Sequence, residues 1–135
     1  MSHVALDTSA AVPLLIRRHP DHDRVRSSIG EATISMTGHS QAETYSVLTR
    51  LPGDARLDAR DAAQLLSTGF AEPLLLDPAT LADLPSVLAQ HEVAGGAVYD
   101  ALVGLATVGA GVSLLTRDRR AAATYSALGV EFRFV

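Results

Sequence analysis

The sequence contains no cysteine, no lysine and no tryptophan. Without cysteine the chain can form neither disulfides nor thiolate zinc sites, and it has no cysteine nucleophile. Without lysine it cannot form a Schiff base or the phosphate-binding loop that ends in Gly-Lys-Ser/Thr. All eleven basic side chains are arginines, which can still bind phosphates through paired hydrogen bonds. These absences exclude several enzyme classes and leave phosphate chemistry open.

Long apolar runs are also missing. None approaches the ~18 residues that suggest a membrane span, and no basic segment followed by an apolar one opens the chain. The longest apolar stretch, residues 101–115, is interrupted by glycines, Thr107 and Ser113, which is typical of a buried helix followed by a strand. We expect a protein that does not associate with membranes and works in the cytoplasm, whose reducing conditions suit a chain without cysteine.

Hydrophobic periodicity divides the chain into alternating strands and helices, and its 135 residues match one compact domain. No linker, repeat or low-complexity segment is visible, so residues 1–135 are interpreted as a single domain. The alternation predicts an α/β protein, a three-layer α/β/α sandwich around a mostly parallel sheet. Predicted strands cover residues 3–6, 32–36, 73–76, 112–116 and 130–135, the last a candidate edge strand. Predicted helices cover residues 10–18, 21–29, 39–51, 58–71, 80–91, 97–110 and 118–128.

Four acidic side chains are expected at one edge of this sheet. Asp7 directly follows the first strand, and Asp118 lies two residues beyond the fourth. Glu43 and Asp100 lie near the starts of helices, at the edge where open α/β sheets form their sites. From Asp100 the helix runs ~16 Å outward at 1.5 Å per residue, and the chain returns ~20 Å along extended residues. Asp100 and Asp118 are therefore predicted to meet.

Each acid also has an ordinary structural interpretation. Asp7 and Asp118 could cap helices, and Glu43 could lie on a solvated helix face. Asp100 is harder to explain in this way, because it interrupts an apolar helix of small residues, and a buried unpaired carboxylate is costly. Ser9 is interpreted first as the cap of the first helix.

A cluster of four carboxylates needs compensating positive charge, because like charges raise one another's pKa values. A hard divalent cation supplies it: Mg²⁺ prefers oxygen ligands, keeps several waters and takes one or two carboxylates directly. A site without histidine or cysteine suits Mg²⁺ or Mn²⁺ better than zinc. Two such ions ~4 Å apart can promote phosphodiester hydrolysis. The acids therefore indicate a Mg²⁺ or Mn²⁺ site.

The charge balance bears on nucleic-acid binding. The net charge is −4, from 15 acids and 11 arginines, whereas nucleic-acid binders usually carry a basic patch. Setting the four candidate ligands aside balances the remaining acids and arginines. Arg117, Arg119 and Arg120 lie beside Asp118 and are candidates for binding substrate phosphate, unless they form a solvated face. With three Phe and three Tyr, no surface for stacking bases is expected.

Four short motifs contain the four acids. They are Leu6-Asp7-Thr8-Ser9, Gln41-Ala42-Glu43, Val98-Tyr99-Asp100-Ala101-Leu102 and Leu115-Thr116-Arg117-Asp118. In this order they resemble the motifs of PIN-domain ribonucleases, and residues 125–130 (YSALGV) resemble the endings of VapC-type toxins. Each motif alone is weak, but four in order over nearly the whole chain are fairly specific.

The resemblance implies an α/β sandwich with a Mg²⁺ or Mn²⁺ site and endoribonuclease activity on RNA. It also implies a homodimer that a VapB-type antitoxin inhibits. Asp7, Asp100 and Asp118 are implied as metal ligands, and Ser9 and Thr116 match polar positions that support the acids through hydrogen bonds. The catalytic acids implied by position are Asp7, Glu43, Asp100 and Asp118.

Other functions stay open at this stage. Many relatives carry a further acid soon after the fourth motif, where this chain has Arg119 and Arg120, so the number of metal ions is one or two. Phosphoryl transfer through Asp7 is a second class, but receiver domains need a lysine and haloacid-dehalogenase-like domains need an aspartate in place of Ser9. An inactive PIN-fold binding module and a PIN nuclease that is not a toxin are further alternatives.

Overall fold

The computed structural model describes residues 2–135 and contains a sheet of four parallel strands. The strands lie in the order β2-β1-β3-β4, so that β1 and β3 are central. Val4 pairs with Ile34 on one side and with Ser113 on the other, and Leu114 pairs with Phe132. The last strand lies at an edge. The strands are β1 (His3–Leu6), β2 (Thr33–Ser35), β3 (Ser113–Thr116) and β4 (Phe132–Phe134).

Helices connect the strands, as parallel pairing requires. A turn of 3₁₀ helix, Gly53–Ala55, follows α3. Within residues 2–135, no helix is long and apolar enough to cross a membrane. The helices are α1 (Thr8–Leu15), α2 (His22–Ile29), α3 (Gly38–Thr49), α4 (Ala59–Gly69), α5 (Pro78–Ala82), α6 (Leu84–Gln90), α7 (Ala97–Ala110) and α8 (Ala122–Ala127).

Two apolar cores cover the two faces of the sheet, because successive strand side chains point to opposite sides. Leu6 and Leu115 face one core, which α1 closes with Ala10 and Ala11 and to which α4 contributes Leu66 and Phe70. Ala5 and Leu114 face the other core, which α7 and α8 close with residues that include Ala101 and Tyr125. The predicted three-layer α/β/α sandwich with a parallel sheet is confirmed.

The predicted strand at residues 73–76 is wrong. This segment runs beside the end of β2 and pairs through one isolated bridge, Thr37 with Leu74. Pro73 has no N–H to donate to a ladder, and the Leu75 side chain is exposed. An apolar run of four residues therefore forms a connection instead of a strand.

Two predicted helices are shorter or divided. The segment 80–91 forms α5 and α6, which meet at Asp83, where Pro85 occupies the first turn of the second helix, a position that proline favours. The helix predicted from residue 118 begins only at Ala122. Residues 118–121 form turns, in which Ala121 N–H donates to the carbonyl of Asp118.

The long helix α7 has the predicted bounds, and Gly104 in its middle allows close packing. A Cβ at this position would lie 3.0 Å from Val130 Cγ2 and 3.1 Å from Leu128 Cδ1. Gly111 ends the helix with a left-handed φ of 68°. This close packing brings Tyr125 of α8 against α7 and toward the end of β1.

Candidate active site

All four predicted acids line one small pocket beside the carboxyl ends of β1 and β3. The pocket has a volume of about 50 Å³. Parallel neighbours end at the same edge, and Asp7 N–H donates to the carbonyl of Leu115 at 3.3 Å, which fixes the end of β1 against β3. The lining residues are Asp7, Thr8, Ser9, Glu43, Asp100, Val103, Asp118 and Tyr125.

Asp7 is the most buried of these acids, with 5% exposure. Its Oδ1 accepts from Ser9 Oγ at 2.5 Å and from Ala10 N–H at 3.3 Å, so Asp7 caps α1. Its Oδ2 accepts from Thr116 Oγ1 at 2.5 Å and from Tyr125 Oη at 2.9 Å. Burial raises the pKa of Asp7, although these hydroxyl donors act to lower it.

Ser9 and Thr116 connect the two strand ends to the acids. Ser9 does not cap α1, because Asp7 takes that position; its Oγ instead accepts from the N–H of Arg117 at 2.7 Å. Thr116 Oγ1 accepts from the N–H of Asp118 at 3.0 Å. Each hydroxyl thus joins Asp7 to the segment after β3.

The carboxylate of Asp100 lies in the first turn of α7, half-buried among like charges. Burial is the largest cause that raises its pKa, followed by repulsion from Asp118, Asp7 and Glu43, while Arg120 lowers it. Asp100 therefore responds to the other three acids electrostatically. A bound cation would relieve this repulsion.

The donor set fits a hard divalent cation. The pocket offers carboxylate and hydroxyl oxygens, which are ligands typical of Mg²⁺ and Mn²⁺. Within residues 2–135, no three acidic or histidine side chains form a ready-made ligand set, but Mg²⁺ usually needs few direct protein carboxylates and completes its shell with water. Four hydrogen-bond donors already surround Asp7. The pKa of Asp100, in contrast, is raised by burial and by neighbouring charges, and no hydrogen bond contributes to that rise.

The three arginines after β3 differ in their surroundings. Arg117 forms an ion pair with Asp21 of the α1–α2 connection. The guanidinium of Arg119 lies 4.4 Å from the ring centre of Phe134. Arg120 is 93% exposed, and its Nε lies 3.4 Å from Asp118 Oδ1. Only Arg119 and Arg120 thus have exposed side chains that could reach a phosphate, and the phosphate role of all three stays a prediction.

Sequence reasoning missed two aromatic features of the site. Tyr125 is 1% exposed and donates to Asp7; burial and the charge of Asp7 raise its pKa, so it stays a protonated donor. The available signal was the segment 125–130, whose Tyr had no assigned role. The second feature is a stack of His39 on Tyr99, where no surface for stacking was expected.

A larger cavity, about 640 Å³, lies between α3 and α4. Its lining includes Tyr45, Leu66 and Phe70, and its acid is Glu72. None of the four predicted acids lines it. The larger cavity is therefore not the candidate active site, and the small pocket that the four acids line is.

The fold and the order of the acids agree with the family comparison. Residues 4–126 match the model of the PIN domain. This chain belongs to the PIN-domain family.

Relatives with known names place it more closely among PIN-domain proteins. Over 127 residues it is 54% identical to Ribonuclease VapC27 of Mycobacterium tuberculosis, covering 94% of this chain and 93% of the relative. Over 133 residues it is 40% identical to Ribonuclease VapC40 of the same species, covering 98% of each. A structure of VapBC-5 from M. tuberculosis, described as a member of the VapBC family of toxin–antitoxin systems, superposes with a TM-score of 0.62 at 18% identity, covering 100% of both chains. The last likeness concerns the fold.

Proposed function

We propose that this PIN-domain protein is an endoribonuclease that hydrolyses RNA phosphodiester bonds with Mg²⁺ or Mn²⁺, and that it is the toxin of a VapB–VapC pair. The observation that carries the proposal is the single pocket lined by Asp7, Glu43, Asp100 and Asp118. Kinship with two proteins named as VapC ribonucleases supports the substrate.

Asp100 and Asp118 are the proposed direct ligands of the cation, with Asp7 as the third. These carboxylates would hold a divalent cation, which would supply activation of water and stabilisation of the leaving oxygen. Glu43 is the most exposed acid, with 49% of its side chain accessible, and it has room to hold or accept a proton from water at the rim of the pocket. Ser9, Thr116 and Tyr125 orient Asp7 by donating to it, and these hydrogen bonds act against the rise in its pKa that burial causes.

Arg119 and Arg120 are the proposed phosphate-binding side chains. Both follow Asp118 on an exposed turn, so they can approach a substrate backbone that enters the pocket. The ion pair of Arg117 with Asp21 favours a structural role for that arginine. The positive charge of Arg119 and Arg120 offsets part of the negative potential of the four acids, which would otherwise repel RNA.

The proposed partners follow from kinship with VapC proteins. A VapB-type antitoxin and a second copy of the chain are the partners of such a toxin. The antitoxin is tested by co-expressing the chain with a small DNA-binding protein encoded beside this gene. Complex formation and the loss of RNA cleavage are then measured. Sedimentation of the purified chain examines the second, and a monomer at all concentrations would contradict the homodimer.

The proposal is tested by incubating the purified chain with total RNA, with and without Mn²⁺, and mapping the cut ends. We expect cleavage that requires the metal and is lost in Asp7→Asn and Asp100→Asn. Asp54→Asn is the matched control, because Asp54 is an exposed acid outside the pocket. Intact RNA with every metal would favour an inactive binding module, and phosphate transferred to the protein from a phosphate donor would favour an aspartyl-phosphate enzyme.

A further inference from the structure

An aromatic pair, of which Tyr99 is the exposed member, lies next to two of the acids that line the pocket. The rings of His39 and Tyr99 have centroids 5.5 Å apart and planes inclined by 17°, which is an offset stack. Tyr99 is 58% exposed, although it lies in the helix that supplies Asp100. An exposed tyrosine held in a fixed plane by a second ring is suited to stacking on a flat, planar ligand.

The two helices that carry the acids also carry the aromatic pair. Tyr99 immediately precedes Asp100 in α7, and His39 precedes Glu43 by one turn of α3. His39 Nε2 lies 3.2 Å from Glu43 Oε2, so the imidazole lies between this carboxylate and the phenol ring of Tyr99.

From this arrangement we infer that Tyr99, supported by His39, stacks on an unpaired base of the substrate strand beside the acidic pocket. The inference rests on the proposed ribonuclease function and assigns contact with a base of the RNA substrate to Tyr99 and His39. Every base has a π-face, so this contact provides affinity and register without fixing the sequence.

The test compares two strands of equal charge. A short labelled oligouridylate and an equally long strand of abasic ribose phosphates are titrated with protein by fluorescence anisotropy, in an Asp100→Asn background that leaves RNA intact. Tyr99→Phe keeps the ring, Tyr99→Leu removes it while keeping apolar bulk, and Leu81→Ala removes an exposed apolar side chain that does not line the pocket.

The expected result is a preference for the oligouridylate that survives in Tyr99→Phe and Leu81→Ala. In Tyr99→Leu the preference falls roughly 5- to 100-fold, while affinity for the abasic strand is unchanged because the phosphate contacts remain. Equal preference in the Leu and Phe variants, or no preference in the parent protein, would overturn the inference. So would a change of oligomeric state in Tyr99→Leu, since Tyr99 would then be a subunit contact.

A second measurement needs no substitution at Tyr99. Irradiation of the Asp100→Asn protein with a 5-bromouridine strand should produce a crosslink that mass spectrometry places on Tyr99 or His39, and crosslinks found only elsewhere would contradict the stack. Both measurements record binding, and cleavage of total RNA by the unsubstituted chain is recorded separately. Base-dependent binding through Tyr99 without cleavage would refute the nuclease and keep the stack.

Discussion

Replacing Tyr125 by Phe removes one hydrogen bond to Asp7 and little else. The ring stays in its core, where it packs 5.7 Å from the ring centre of Phe132. Its hydroxyl donates to Asp7 Oδ2 at 2.9 Å in a site where both groups are almost fully buried. A hydrogen bond to a charged group contributes ~1.5–3 kcal/mol, so at a pH where Asp7 is ionised we expect the unfolding temperature to fall by roughly 5–12 °C for a chain of this length.

The stability lost in Tyr125→Phe should depend on pH, and the direction of this dependence follows from the pKa of Asp7. Burial raises that pKa in the folded state, so Asp7 stabilises the fold below its unfolded pKa, and this contribution is lost as pH rises through the folded pKa. Losing the Tyr125 donor raises the pKa further, because only the ionised carboxylate needs the donor. The difference between the two proteins should therefore be small in acid and grow as Asp7 ionises.

The assay is thermal unfolding of both proteins over a range of pH, without metal, followed by the pH dependence of RNA cleavage with Mn²⁺. The acidic limb of the cleavage profile should move to higher pH in Tyr125→Phe. Tyr45→Phe, in the larger cavity, is the matched control and should move neither quantity. Asp100, Asp118 and Glu43 share the pocket, but they are the same in all three proteins. A stability loss of equal size at every pH would refute the reasoning, because it would report packing instead of the carboxylate.

Three further predictions concern charge and packing. Asp100→Asn should stabilise the metal-free protein at neutral pH, because burial and like charges raise the pKa of Asp100 and make its ionised form unfavourable; unfolding with and without Mn²⁺ checks this, and equal stability would contradict it. Arg117→Ala should cost ~0.2–1 kcal/mol by removing one of the two arginine partners of Asp21, whose contact with Arg24 at 3.3 Å remains; in an Asp21→Asn background the same substitution should cost less, and equal losses in urea unfolding would show that the ion pair does not contribute. Gly104→Ala should lower stability by ~1–2 kcal/mol despite its better helix propensity, because its Cβ would crowd the far side of the core; a stabilised variant would show that the neighbouring side chains move aside.

Periodicity predicted the elements that place the acids. The strand ending at Leu6 and the helix Ala97–Ala110 were predicted with the bounds that the structure has, because the apolar strand stops at Asp7 and glycines flank the helix at both ends. The convergence of Asp100 and Asp118 followed from the lengths of the helix and strand between them. Such distance estimates need only backbone dimensions, so wrongly predicted elements in other parts of the chain do not affect them.

Local chemistry explains the elements that were predicted wrongly. Pro73 and Pro85 lack a backbone N–H. The segment that contains Pro73 forms one isolated bridge instead of the predicted strand, and the helix predicted at residues 80–91 is divided in two just before Pro85. Asp7 and Ser9 both favour helix N-termini, and the sequence alone could not tell which of the two caps α1. The choice depends on Thr116 and Tyr125, which reach Asp7 from more than a hundred residues away.

Side-chain contacts between distant segments were beyond the sequence patterns. The stack of His39 on Tyr99 joins α3 to α7, and the residue spacing within either helix does not predict this contact. The same holds for the ion pair of Arg117 with Asp21, which changes the most plausible role of an arginine near the site. The roles assigned to the acids themselves stay predictions that only solution experiments test.

Metal binding tests the central claim most directly. Titration calorimetry with Mn²⁺ on the unsubstituted chain, Asp100→Asn and the Asp54→Asn control asks whether the converging carboxylates hold a cation. The account predicts saturable binding by the unsubstituted chain and the control, and its loss in Asp100→Asn. Equal binding by all three proteins, or none by the unsubstituted chain, would contradict it.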